Sequence, residues 1–157
     1  MIFNSRILNS CDRCRLCAII YNMKNDVIER KEILENVLKW KDEDLVKVIT
    51  GVRRSGKSTV LRMIESSLKV SGVSNDCIAY IDFECRKYQA LITKEQVWEE
   101  LDRQLTGSGK KYVLLDEVQR VRDFELLVDA LYADKQYDCY ELQSKSKFDK
   151  FKSPSRG

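Results

Sequence analysis

The sequence contains no histidine. That removes the commonest general base and the commonest zinc ligand, and it excludes serine–histidine and cysteine–histidine nucleophile pairs built from this chain alone. Proline is nearly absent, with Pro154 the single instance, and only six glycines are spread over 157 residues. A low-complexity disordered or collagen-like reading of the bulk of the chain fails on these counts. No run approaches the ~20 apolar residues that a membrane-spanning helix needs. The best apolar run near the N-terminus, residues 16–21, falls short of the roughly 7–15-residue core of a secretion signal, and Arg15 stands directly before it. A cytoplasmic, reducing location is therefore expected, with the six cysteines as thiols rather than a disulfide frame.

What the chain does have is a high charged fraction, 34%, beside 43% hydrophobic residues. The average soluble protein is only about 25% charged. The net charge of +3 is carried by the two ends: residues 1–22 and 141–157 are both basic, while residues 23–140 hold 20 basic and 22 acidic side chains. A near-neutral central block does not show the basic footprint of a nucleic-acid-binding domain.

Short apolar runs alternate with helical patterns. Asp26 and Glu29 open a helix whose apolar face carries Ile33, Leu34, Val37 and Leu38. Residues 45–50 read as a strand, followed by a glycine-bearing turn and a helix with Val60, Leu61, Ile64 and Leu68 on one face, ending before Gly72. Residues 77–83 read as a second strand. Thr93 and Gln96 form a capping box for a helix bearing Val97, Leu101 and Leu105; Trp98 on that helix and Trp40 upstream read as packing residues. Residues 112–115 are a fully apolar third strand, as expected of a central parallel strand. Asp123 stands as the cap of a further helix with Leu127, Val128 and Leu131, and residues 137–140 begin a fourth strand. Strand–helix alternation of this kind predicts an α/β fold, a parallel sheet with helices on both faces. Past residue 140 the pattern fades, so 141–157 reads as a basic disordered tail, 23–140 as the domain, and 1–22 as a disordered extension.

The strongest motif runs Gly51, Val52, Arg53, Arg54, Ser55, Gly56, Lys57, Ser58, followed by Thr59. It matches GxxxxGK[ST] in the required place, after a strand and at the start of a helix. Glycine lets the backbone turn where a side chain would block it. Successive N–H groups then form an anion nest, and the helix N-terminus adds about half a positive charge there. In such a loop Lys57 reaches the β- and γ-phosphates of a nucleotide and Ser58 ligates Mg²⁺. The second motif is the apolar strand at 112–115 ending in Asp116 and Glu117, 59 and 60 residues after Lys57. Ligands of open α/β sheets bind at that strand edge. Asp116 suits holding Mg²⁺, and Glu117 suits deprotonating an attacking water. A GTPase would carry an Asn-Lys-x-Asp segment to read its base, and none occurs. The adjacent pair of acids points to ATP hydrolysis.

Residues 45–61, 77–84 and 112–132 together resemble the N-terminal half of a prokaryotic family of AAA-superfamily ATPases. The doubled arginine, Arg53 and Arg54, and the run Asp116, Glu117, Val118, Gln119 are the specific parts. The similarity covers about residues 24–140. It implies a P-loop NTPase sheet of strand order 5-1-4-3-2, ATP and Mg²⁺ as cofactors, and Thr59 leaning toward the α-phosphate. It also implies longer homologues with a nuclease-like C-terminal domain, and homo-oligomers as in many AAA proteins. The family's fourth strand runs into a Thr-Gly-Ser-Asn-like segment that senses the γ-phosphate; here Tyr140 is followed by Glu141, Leu142, Gln143 and Ser144. The fifth strand and arginine finger have no counterpart downstream. The expectation is thus a fragment with a sheet incomplete at its C-terminus, a frameshift near Cys139 being one origin. Two alternatives stand beside an ATPase: a nucleotide-binding module without turnover, and a helicase-like nucleic-acid motor fragment, which the near-neutral block disfavours. Cys11, Cys14 and Cys17 could ligate a metal given a fourth ligand, but are expected to be reduced thiols of the extension.

Overall fold

The computed structural model describes residues 5–8, 18–23, 30–51 and 55–144. A six-stranded sheet has the order β1-β2-β3-β6-β5-β4. β1 (Ser5–Leu8) runs antiparallel to β2 (Ala18–Met23). All other pairings, from β2 through β3 (Val46–Gly51), β6 (Tyr137–Ser144) and β5 (Lys111–Asp116) to β4 (Ile78–Asp82), are parallel. The α/β parallel sheet expected from the alternation is therefore present. So is the expected order 1-4-3-2 for the strands beginning with the one before the phosphate-loop motif.

Helices cover both faces. On one, α1 (Arg30–Leu38) and α2 (Lys57–Val70) pack Ile33, Val37, Val60, Leu61, Ile64 and Leu68 against Ile49, Leu114, Tyr140 and Leu142. On the other, α3 (Lys94–Gln104) and α4 (Phe124–Ala133) pack Val97, Leu101, Leu127, Val128 and Leu131 against Val48, Ile81, Val113 and Leu115. Coverage on both sides explains why β5 reads as an apolar run rather than an alternating one, and why β3 is buried along its whole length. The Thr93 capping box forms as its sequence predicts, with Thr93 Oγ1 accepting from the Gln96 backbone and the Gln96 side chain reaching back. Asp123 does occupy the cap position of α4, but its backbone is left-handed (φ 53°) and its side chain makes no cap hydrogen bond. Asp26 lies outside the described residues.

Two expectations are corrected. The strand expected to stop at Tyr140 continues to Ser144, pairing with both β3 and β5. Residues 141–144 belong to the sheet's centre and not to a tail. Their polarity hid this: Glu141 and Gln143 are buried, and the Gln143 amide donates to Glu141 Oε1 at 2.8 Å. The sheet is therefore continuous from β3 through β6 to β5. Likewise, residues 1–22 were expected outside the domain, yet β1 and most of β2 pair into the sheet. β2 lies parallel to β3 on the side away from β6, where the family order puts a fifth strand. The apolar run considered as a secretion signal overlaps this strand. Cys11, Cys14 and Cys17 lie outside the described residues. Among those described, Cys77, Cys85 and Cys139 are free thiols.

Candidate functional site

Parallel strands bring every C-terminal end to one edge. The register sets Asp82 beside Asp116, Asp116 beside Leu142, and Ser144 beside Gly51. The sequence motifs at 51–59 and 116–117 therefore meet at that edge, although 56 residues lie between them.

β3 ends at Gly51, and the N-cap of α2 is Gly56, whose φ of 84° is left-handed. Glycine is needed here because a Cβ would be strained in that conformation. α2 starts at Lys57 with no side-chain cap on its N-terminus. The Ser55 hydroxyl is buried without a hydrogen-bond partner. Val52, Arg53 and Arg54 lie outside the described residues. Lys57 is 4% exposed, and burial holds its ammonium pKa below the ordinary value against the opposing pull of Glu117, Asp116 and Glu84. Three carboxylates thus share the field of one buried cation. Ser58 and Thr59 are exposed at the start of the helix.

Asp116 is 1% exposed. Its Oδ2 accepts from the Tyr80 hydroxyl at 3.0 Å, and its Oδ1 is buried with no hydrogen-bond partner. Burial raises the Asp116 pKa, while the Ser58 and Tyr80 hydroxyls pull it down and the Asp82 and Glu117 charges push it further up. Glu117 follows in a left-handed conformation (φ 59°) and leads into a 3₁₀ turn, Val118–Arg120. Its Oε1 accepts from the Ser144 hydroxyl at 2.5 Å and its Oε2 from the Gln119 amide. Arg120 pairs with Glu84 at 2.7 Å across the same edge.

The donor set fits a phosphate with a hydrated divalent cation. A phosphate finds an uncapped helix N-terminus, a buried ammonium and a hydroxyl in need of a partner; a cation's water finds a buried carboxylate oxygen with none. Among the described residues no group of three or more histidine, cysteine, aspartate or glutamate side chains could hold a metal by itself. Mg²⁺ keeps most of its waters and takes one or two protein ligands together with phosphate oxygens.

Sequence reasoning missed two residues here. Ser144 was placed in a tail, and Tyr80 was an anonymous member of an apolar strand. Neither carries a local signal: Tyr80 meets Asp116 from 36 positions away and Ser144 meets Glu117 from 27. Among the described residues no helix is long and apolar enough to cross a membrane.

A protein of Haemophilus influenzae, itself uncharacterized, is 34% identical over 110 residues. The match takes in 69% of this chain and 28% of that protein, so the chain spans less than a third of its relative's length. No solved structure matches the chain. The profile of the family described as "AAA domain" matches residues 43–154, from just before β3 to beyond the end of β6. With the strand order, the phosphate-loop position and this profile in agreement, the chain belongs to the AAA domain family of P-loop nucleotide-binding proteins.

Proposed function

We propose that this domain binds ATP with Mg²⁺ at the C-terminal edge of its sheet and hydrolyses it. The observation that carries the reading is the meeting of Lys57, Asp116 and Glu117 at the mouth of an uncapped helix, with Asp116 Oδ1 and the Ser55 hydroxyl left without partners. Residues 51–59 would wrap the phosphates: Gly51, Val52, Arg53, Arg54, Ser55 and Gly56 through backbone N–H groups, Lys57 through its ammonium on the β- and γ-phosphates, Thr59 toward the α-phosphate. Ser58 and Asp116 would hold Mg²⁺, which when bound draws charge off the phosphates.

Glu117 is the general base. It takes a proton from the water that attacks the γ-phosphorus, while Lys57 stabilises charge on the phosphate oxygens. Both Glu117 oxygens already accept hydrogen bonds, one from Ser144 at the end of β6. Each oxygen keeps a further lone pair for a water, so the Ser144 and Gln119 contacts would hold the carboxylate's orientation and link it to the position of β6 and of the turn at Gln119. The same two hydrogen bonds also fit the second reading, nucleotide binding without turnover, in which Glu117 is a structural acceptor.

Glu117→Gln separates the two readings. An ATPase loses about 10²–10⁴-fold in turnover while ATP affinity stays within about threefold. If the folded wild-type chain binds ATP and releases no phosphate, the non-catalytic reading holds.

A further inference from the structure

Tyr80 lies on β4 and is 9% exposed, packed between the sheet and α2. A phenylalanine would fill the same apolar place, so the hydroxyl needs its own explanation. It donates to Asp116 Oδ2 at 3.0 Å. The ring is held from the other side by Arg62, whose guanidinium carbon sits 3.7 Å from the ring centroid. Arg62 comes one helical turn after Ser58 on α2, so both project from the same helix face. Asp116 Oδ2 is thus tied through Tyr80 to Arg62, on the helix following the phosphate loop.

An aspartate's terminal torsion is broad, so a buried carboxylate keeps one orientation only if something holds it. Mg²⁺ tolerates little departure from octahedral geometry, so the orientation of its protein acceptor matters. We propose that Tyr80 is a positioning residue for the Mg²⁺ site: its hydroxyl occupies Asp116 Oδ2 and so aims the unpartnered Oδ1 at the hydrated cation. This rests on the nucleotide-site reading above.

The test titrates a fluorescent ATP analogue into the full chain, first in EDTA and then at rising Mg²⁺, with thermal melts of each variant followed by circular dichroism. In Tyr80→Phe the affinity in EDTA stays within about twofold, while the half-saturating Mg²⁺ concentration rises about three- to tenfold, the loss expected of one ordinary hydrogen bond. Asp116→Asn removes the Mg²⁺ enhancement altogether. Equal losses with and without Mg²⁺, or an unchanged Mg²⁺ dependence in a folded Tyr80→Phe chain, overturn the positioning role. If Tyr80→Phe does not fold, Arg62→Ala carries the test, because it keeps the hydroxyl and removes the stacked cation. A smaller shift in the same direction supports the role, and no shift overturns it. A wild-type chain with no Mg²⁺-dependent binding overturns the site reading and this inference together. A wild-type chain that does bind, beside a variant that matches it, refutes the inference alone.

Discussion

Two buried aspartates sit at opposite ends of the sheet, and their surroundings differ. At the N-terminal end of the strands, Asp138 on β6 accepts from Lys47 through Oδ1, and through Oδ2 from the Tyr140 hydroxyl and the Asp42 backbone, each at 3.0 Å. Lys47 in turn donates to the Glu43 carbonyl at 3.0 Å, and Tyr112 donates to Asp42 at 2.6 Å. At the C-terminal end, Asp116 has one oxygen engaged and one bare, beside a bare Ser55 hydroxyl and an uncapped helix. A buried charge is tolerated when it is paired and hydrogen-bonded, and each buried orphan costs ~1–3 kcal/mol. The first cluster is closed and needs nothing more; it pins β3 to β6 and the loop at Asp42 to β5. The second is unfinished, which is how a ligand site differs from a structural network.

Breaking the closed end should have the largest effect on stability. Asp138→Ala leaves Lys47 buried without its partner and should cost about 3–5 kcal/mol in urea unfolding. The pair Lys47→Met with Asp138→Leu should recover most of that loss and leave ATP affinity within about twofold. If the double variant is as unstable as the single one, the network does more than satisfy itself.

Glu141 sharpens the contrast, since it lies midway along β6 and belongs to neither end. It is buried, its Oε2 has no partner, and burial raises its pKa from 4.5 to about 7, against the Gln143 hydrogen bond and with a further push from Glu125. The folded state therefore holds this proton more tightly than the unfolded state does. Its contribution to stability is fully present below about pH 4.5 and is lost as pH rises through 7, a fall of about 3 kcal/mol. Glu141→Gln should flatten that decline between pH 5 and 8 in denaturant titrations; an unchanged pH profile would show that Glu141 does not titrate there.

A smaller effect is expected at the open end, where Gly56→Ala introduces a Cβ at φ 84° and should cost about 1–2 kcal/mol. A cost near zero would mean that the loop relaxes freely.

Most of the fold was legible because its strands are short apolar runs with polar punctuation. Residues 45–50 and 112–115, and the spacing of Val60, Leu61, Ile64 and Leu68, each announce their element to within a residue or so of its observed bounds. The second half of β6 was not legible. A run of Glu, Leu, Gln and Ser is expected at a surface, and only the mutual contact of Glu141 and Gln143, with pairing on both sides, makes it a central strand. The N-terminal strands were missed for another reason: the partner of β2, β3, begins only at Val46, and β1 joins the sheet only through β2, so no local pattern reveals the pairing. In the site, the motif residues were visible because phosphate binding imposes a fixed local string. Tyr80 and Ser144 were invisible because their roles depend on what the sheet brings next to Asp116 and Glu117.

The central claim is that the unfinished edge takes a nucleotide. Calorimetric titration of ATP with Mg²⁺ into the wild-type chain and into Lys57→Ala tests it most directly. The account predicts saturable one-to-one binding by the wild type, weakened about ten- to hundredfold in Lys57→Ala with the circular dichroism spectrum unchanged. Equal binding by both chains, or none by a folded wild type, would contradict it.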